Sequence, residues 1–185
     1  MKRLKELKPA LVCFGIMTIL CGMLYTAVIT GISQILFPVQ ANGSIITILQ
    51  KDGTEKEYGS KLISQDFKEP EYLIGRPAGV TNLSPVSKEE KKLVQERIDW
   101  WHSFDPGNPS DIPMDLVTAS GSGVDPHITP QAAEYQVNRI AKARGMTEDE
   151  VRNIIKDYTS GRFLGFIGEP AVNVLKVNLA LDGLL

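Results

Sequence analysis

Hydrophobic and polar positions divide this chain into two unlike parts. From Ala10 to Phe37 it reads ALVCFGIMTILCGMLYTAVITGISQILF, 28 residues without a charge. As a helix rising ~1.5 Å per residue the run is roughly 42 Å long, against a bilayer core of about 30 Å. It predicts a transmembrane helix over 10–37, long enough to cross with tilt or to project a turn beyond the lipid. Residues 1–9 form a basic N-terminus, and 38–185 a domain in which shorter apolar patterns alternate with turn signals.

In that domain the pattern predicts mixed helix and strand. Pro38 ends the long helix. The β-branched run Ser44–Leu49 predicts a strand, Asp52-Gly53 a hairpin turn, and Thr54–Tyr58 the return strand, broken by Gly59. Tyr72-Leu73-Ile74 predicts a short strand. Ser87 with Glu90 is a capping-box pattern opening a helix whose stripe is Val94, Ile98 and Trp101. Thr129 and Pro130 open a second helix, with Ala133, Val137, Ile140, Ala141 and Arg144 on one face and Gly145 as its stop. Thr147 and Glu150 open a third, striped by Val151, Ile154, Ile155 and Tyr158 and stopped by Gly161. Val172–Leu181 starts with strand-like alternation. The order implies an α+β domain behind a single transmembrane helix.

Charge changes this picture by giving it a side. Lys2, Arg3, Lys5 and Lys8 against Glu6 leave the first nine residues at +3; the remainder carries 16 basic and 21 acidic side chains, or −5. Basic residues before the span and none after it until Lys51 predict a cytoplasmic N-terminus and an extracytoplasmic domain. A mildly acidic domain lacks the basic face that nucleic acid requires. Both cysteines, Cys13 and Cys21, fall within the span, so the domain folds without disulfides. Val39-Gln40-Ala41 has the small-x-small form of a signal cleavage site, which leaves open a domain released after Ala41. The apolar run is about twice the usual signal h-region, which favours a retained anchor.

Candidate chemistry in the domain is sparse. Asp125, Pro126 and His127 follow the run Ser120-Gly121-Ser122-Gly123. A serine nucleophile here lacks the flanking glycine pattern of a nucleophile elbow, and a metal site lacks further ligands. The residues favour a tight structural or partner-binding loop in which Asp125 accepts from backbone N–H groups and His127 locks the loop against the next helix. The alternative is an anchored extracytoplasmic enzyme using Asp125, His127 and Ser120 or Ser122. Trp100 and Trp101 suit either the core or an interface. Within the span, Gly15, Thr18, Gly22, Thr26, Thr30 and Ser33 fall within about 120° of arc, a small-residue stripe that lets another membrane helix approach closely.

The chain resembles the C subunit of the Kdp potassium-transporting P-type ATPase over essentially its whole length. The resemblance is carried by Asn42-Gly43-Ser44, Gly59-Ser60-x-Leu62-Ile63-x-Gln65-x-Phe67, Gly75-Arg76-Pro77 and Asn82-Leu83-x-Pro85. It continues through Pro113-x-Asp115-Leu116-Val117-Thr118, the run from Ala119 to Ile128, Gln136-Val137-x-Arg139, Ala143-Arg144-Gly145 and Gly168-Glu169-Pro170-x-Val172-Asn173-Val174-Leu175. It implies a non-catalytic accessory subunit in a bacterial plasma-membrane complex. The implied partners are a channel-like potassium-binding subunit, a P-type ATPase catalytic subunit and a small F subunit, together with the lipid bilayer. Potassium, and ATP with Mg²⁺, are used by the complex, and this chain is expected to bind no cofactor itself. The resemblance marks Arg76, Pro77 and Asn82 with Ser120, Gly121, Ser122, Gly123, Asp125, Pro126 and His127 as signature-loop residues. It also implies help with ATP use through a Ser-Gly-Gly segment. Here only Ala78-Gly79-Val80-Thr81 stands between Pro77 and Asn82, and that segment is missing. With the domain outside the cell and ATP inside it, a role in assembly and at the external potassium entrance fits better.

Overall fold

The computed structural model describes residues 2–185, with side chains from residue 5 onward. Lys2 and Arg3, counted above for topology, thus lie outside the described side chains. The chain divides into two compact units at Ile45/Ile46.

The first unit is a long helix. Helix α1 (Lys2–Met17) runs through a π-helical stretch (Thr18–Leu24) into α2 (Tyr25–Leu36). Residues 5–36 make one segment long and apolar enough to cross a membrane, with none of its apolar window buried. The helix extends beyond the uncharged run because Lys5, Glu6 and Lys8 are good helix formers. Phe37 breaks it, at φ −138°. Pro38 does not simply terminate: it opens a four-residue turn, α3 (Pro38–Ala41), where its fixed φ and missing N–H suit a first helical position.

The second unit mixes sheet and helix. Strands β1 (Ile45–Leu49) and β2 (Glu55–Ser60) pair through the turn foreseen at Asp52-Gly53, and β2 runs on through Gly59, which takes a positive φ of 122°. A second sheet has the order β3-β5-β4, both pairings antiparallel, from β3 (His127–Ile128), β4 (Thr159–Ser160) and β5 (Ala171–Asn173). Helices α4 (Lys88–Phe104), α5 (Pro130–Glu134), α6 (Val137–Arg144), α7 (Glu148–Asp157) and α8 (Val174–Leu181) complete it. Trp101, Val137, Ile140, Val151, Val172 and Val177 centre the core.

Local chemistry explains where pattern and structure part. Ser87 caps α4 by accepting from Glu90 N–H, but the Glu90 carboxylate accepts from the Thr81 hydroxyl, so only half the capping box forms. Thr147 and Glu150 form the full box. The helix expected from Thr129 to Arg144 is two. The Gln136 amide donates back to Ala132 O at 3.1 Å and competes with the regular ladder, and the chain turns there. The third helix ends at Tyr158, three residues before Gly161, and the chain moves directly into β4. The closing run is strand only to Asn173. That side chain caps α8 by accepting from Lys176 N–H, and Val174, Val177, Asn178 and Leu181 then share its buried face.

Tyr72-Leu73-Ile74 is not a strand. It is extended but held by side chains in place of a neighbouring strand. Asn178 accepts from Leu73 N–H at 2.8 Å and donates to Leu73 O at 2.9 Å. Gln136 accepts from Ile74 N–H at 2.8 Å and donates to Ile74 O at 3.0 Å. Arg139 donates to Pro70 O and Tyr72 O, and Arg144 to Glu71 O. Leu73 is fully buried, so Asn178→Leu leaves both of its peptide groups unpaired. That substitution should cost about 2–4 kcal/mol. The check is the urea midpoint of the full chain in detergent, followed by tryptophan fluorescence.

Candidate functional site

The signature residues meet where two loops clasp. Gly79 N–H donates to Gly123 O at 3.0 Å, and Ser64 N–H to Val124 O at 2.9 Å. Gly123 has φ +71°, and a Cβ there would lie 2.6 Å from the Gly79 carbonyl carbon. Only glycine permits both that backbone conformation and that approach. Asp115 joins the loops to the next helix. One of its oxygens takes the Arg76 guanidinium at 3.1 Å, and the other takes Thr129 N–H at 2.7 Å. Both charged side chains are largely buried, which makes the pair a fixed strut. Arg76 also reaches Thr118 Oγ1 at 3.5 Å, while its Nε–H is buried without a partner.

The serine–glycine run is tied up internally. Ser120 Oγ accepts from Gly123 N–H at 2.9 Å and lies 3.3 Å from Ser122 Oγ. Asp125 Oδ1 accepts from His127 N–H at 3.0 Å and lies 3.4 Å from its Nδ1. The other ring nitrogen faces Asn173 Nδ2 at 3.3 Å, so His127 fastens the loop to β5 and the cap of α8, not to the next helix. Pro126 O accepts from Val174 N–H at the same seam. Ser122 and His127 line different hollows, and no hydrogen bond joins either serine to the imidazole among the described residues. No cluster of three His, Cys, Asp or Glu suited to a metal occurs among them. Asn82 stands apart, exposed, at φ +52°, a conformation asparagine tolerates better than most side chains.

Beside the clasp is a hollow of about 720 Å³. Arg76, Pro77 and Gly123 line it from the loop side, and Arg97, Trp100 and Phe104 from α4. Trp101 is core, with its indole N–H on Leu116 O at 3.0 Å. Trp100 is 42% exposed and stacks on Phe104 at 4.6 Å, so adjacent tryptophans serve core and surface separately. Arg97 donates to Val117 O at 2.8 Å. The hollow suits an apolar or aromatic group with a polar rim.

Sequence reasoning did not find the polar residues behind this wall. Arg139 lies over the Trp101 and Phe104 rings at 6.0 and 5.0 Å. Burial pulls its guanidinium down to about 10, with Asp105 and Tyr135 acting the other way. Burial, with Asp105 adding to it, raises the Tyr135 phenol. Gln136-Val137-x-Arg139 was visible as a motif, but its pairing with residues 70–74 leaves no local signal.

In the long helix, two hydroxyls of the small-residue stripe turn inward on their own backbone. Thr18 donates to Phe14 O at 2.8 Å and Thr26 to Cys21 O at 3.4 Å. They are satisfied without a partner helix. What the stripe offers is close approach at Gly15 and Gly22, where an added Cβ would meet nothing within 3.8 Å.

Comparison with known proteins covers the chain almost end to end. The family described as K+-transporting ATPase, c chain, matches residues 7–183. A potassium-transporting ATPase KdpC subunit of Listeria monocytogenes is 55% identical, the alignment covering 100% of this chain and 99% of the relative. Those of Clostridium botulinum and Clostridium perfringens are 48% and 46% identical, over 100% and 98% of this chain.

Gly123→Ala should break the clasp and cost roughly 1–3 kcal/mol. Gly121→Ala, at an open position without positive φ, should lie within about 0.5 kcal/mol of the parent. Paired thermal melts of the full chain check both.

Proposed function

The chain belongs to the K+-transporting ATPase c-chain family, and from that membership we propose that it is a non-catalytic accessory and assembly subunit of a high-affinity, ATP-driven potassium importer. The observation that carries the reading is the helix over residues 5–36, apolar and without a buried residue in its apolar window, which carries Gly15, Thr18, Gly22, Thr26, Thr30 and Ser33 at spacings of three and four. A helix of this kind anchors the chain in the plasma membrane and presents a surface on which a polytopic subunit can pack.

The N-terminus lies in the cytoplasm and the domain outside, a side supported by the +3 charge before the span. The helix seats on the channel-like, potassium-binding subunit. The domain braces the external entrance, where a net charge of −5 modestly favours cations. The catalytic P-type subunit hydrolyses ATP with Mg²⁺, and the small F subunit completes the complex. The domain takes no direct part in nucleotide binding. Its side of the membrane and the missing Ser-Gly-Gly segment both support that view. The clasped loops serve as a rigid face for a partner, with the hollow beside Trp100 as the place for a partner's apolar side chain.

The enzyme alternative finds little support in the geometry. Ser120 is committed to backbone donors, and Ser122 and His127 line separate hollows.

Replacing Gly22 and Thr26 together by leucine tests the docking face. The fraction of the large polytopic and P-type subunits recovered with the tagged chain in mild detergent should fall on the order of ten-fold, helix content being unchanged by circular dichroism. Undiminished recovery would overturn docking through this face.

A further inference from the structure

Strands β4 and β5 are joined by the ten residues 161–170, whose tip is apolar and turned outward. Phe163, Leu164, Phe166 and Ile167 are 68, 70, 73 and 50% exposed. The loop is a built feature. Phe163 N–H donates to Ile167 O at 2.8 Å, Ile167 N–H donates back to Phe163 O at 2.9 Å, and Arg162 pairs with Glu169 across the base at 2.7 Å. Leu164 sits at φ +52° before Gly165 at +84°, so a leucine takes a left-handed conformation at the turn. A cluster of large apolar side chains held in water this way marks a contact surface.

The surroundings of the stem indicate what covers the tip. Ser160 and Ala171, the last residues of the stem, line a hollow of about 380 Å³ that also carries Lys61, Lys176 and His127, against the single carboxylate Asp157. Neither lysine forms an ion pair among the described residues. From Gly161 to Gly168 the loop has no carboxylate. An apolar tip beside unpaired cations matches an anionic lipid surface. The tip gains by entering the acyl boundary, and the lysines gain by meeting headgroup phosphates. A chain with a membrane helix has such a surface available to it.

We propose that the 161–170 loop dips its tip into an anionic lipid leaflet while Lys61 and Lys176 hold a lipid phosphate at its base. This rests on residues 5–36 being a membrane span.

The test uses the full chain with Cys13→Ala and Cys21→Ala and a single fluorescent label at Phe166→Cys. It is reconstituted in phosphatidylglycerol or phosphatidylcholine nanodiscs, alone and with its co-purifying subunits. A second preparation labelled at Leu20→Cys reports the span, so failure of the anchor and failure of the loop are told apart. Brominated acyl chains should quench the label at 166 in phosphatidylglycerol, iodide should not, and Lys61→Gln or Lys176→Gln should each lower the docked-to-undocked ratio about five-fold. Iodide quenching at 166, with bromolipid quenching intact at 20, overturns the proposal. Equal lipid quenching in the two lipids also overturns it, because phosphatidylcholine keeps the phosphate but carries no net negative charge, and the anionic leaflet is then not what the lysines recognise. A label shielded from both quenchers only when other subunits are present overturns it as well, and assigns the loop to a protein socket.

Discussion

An extended segment that enters a core without a neighbouring strand must still satisfy its peptide groups, and residues 70–74 do so with side chains. Asn178 and Gln136 each give one acceptor and one donor to a single residue, as a paired strand would. Arg139 and Arg144 take the carbonyls of Pro70, Glu71 and Tyr72. The cost of burying the Arg139 guanidinium is offset by those carbonyls, by Gln136 Oε1 at 2.7 Å and by the faces of Trp101 and Phe104. One five-residue segment thereby connects α4, α6 and α8. Helices with little sequence in common are held in one arrangement by the groups they direct at it.

The clasp inherits its position from that segment. Ile74 leads directly into Gly75, Arg76 and Pro77, so fixing the backbone at 73–74 fixes where Arg76 meets Asp115 and where Gly79 meets Gly123. The serine hydroxyls are consumed by the loop's own N–H groups, and His127 is taken up by Asp125 and Asn173. A loop whose serine, aspartate and histidine side chains hold its own shape is suited to presenting a surface. It is poorly suited to proton transfer, which needs a group free to change partners. That agrees with an accessory subunit of the transport complex.

In the membrane helix the division of labour differs. With no water to compete, the hydroxyls of Thr18 and Thr26 find their own backbone carbonyls. The π-helical turn from Thr18 to Leu24 lies at the same level, and such turns interrupt the regular ladder where helices carry function. The hydroxyls of Thr18 and Thr26 are thus spent within their own helix, and Gly15 and Gly22 leave open space on it.

Much of this protein was legible in order along the chain. The apolar span, the Asp52-Gly53 turn, the Thr147 box and the Gly145 stop are all local, set by hydropathy, charge and backbone chemistry within a few residues. The family pattern was equally legible, because it is a matter of residue order. What remained hidden depends on contacts across more than 60 positions: Gln136 with Ile74, and Asn178 with Leu73 across 105. Gln136 reads locally as an ordinary helix residue, yet its amide breaks the helix and pairs with a distant backbone. Tyr72–Ile74 reads as a strand because its side chains are right for one, but a strand also needs a neighbour, and pattern carries no information about neighbours. The sequence by itself determined the apolar span, the first hairpin, the starts of the main helices and the family. Tertiary structure alone decided that side-chain amides stand in for a strand, that Ser122 and His127 serve separate surfaces, and that the apolar run at 163–167 faces out. Each of these is a question of which group meets which, and short-range propensity leaves it open.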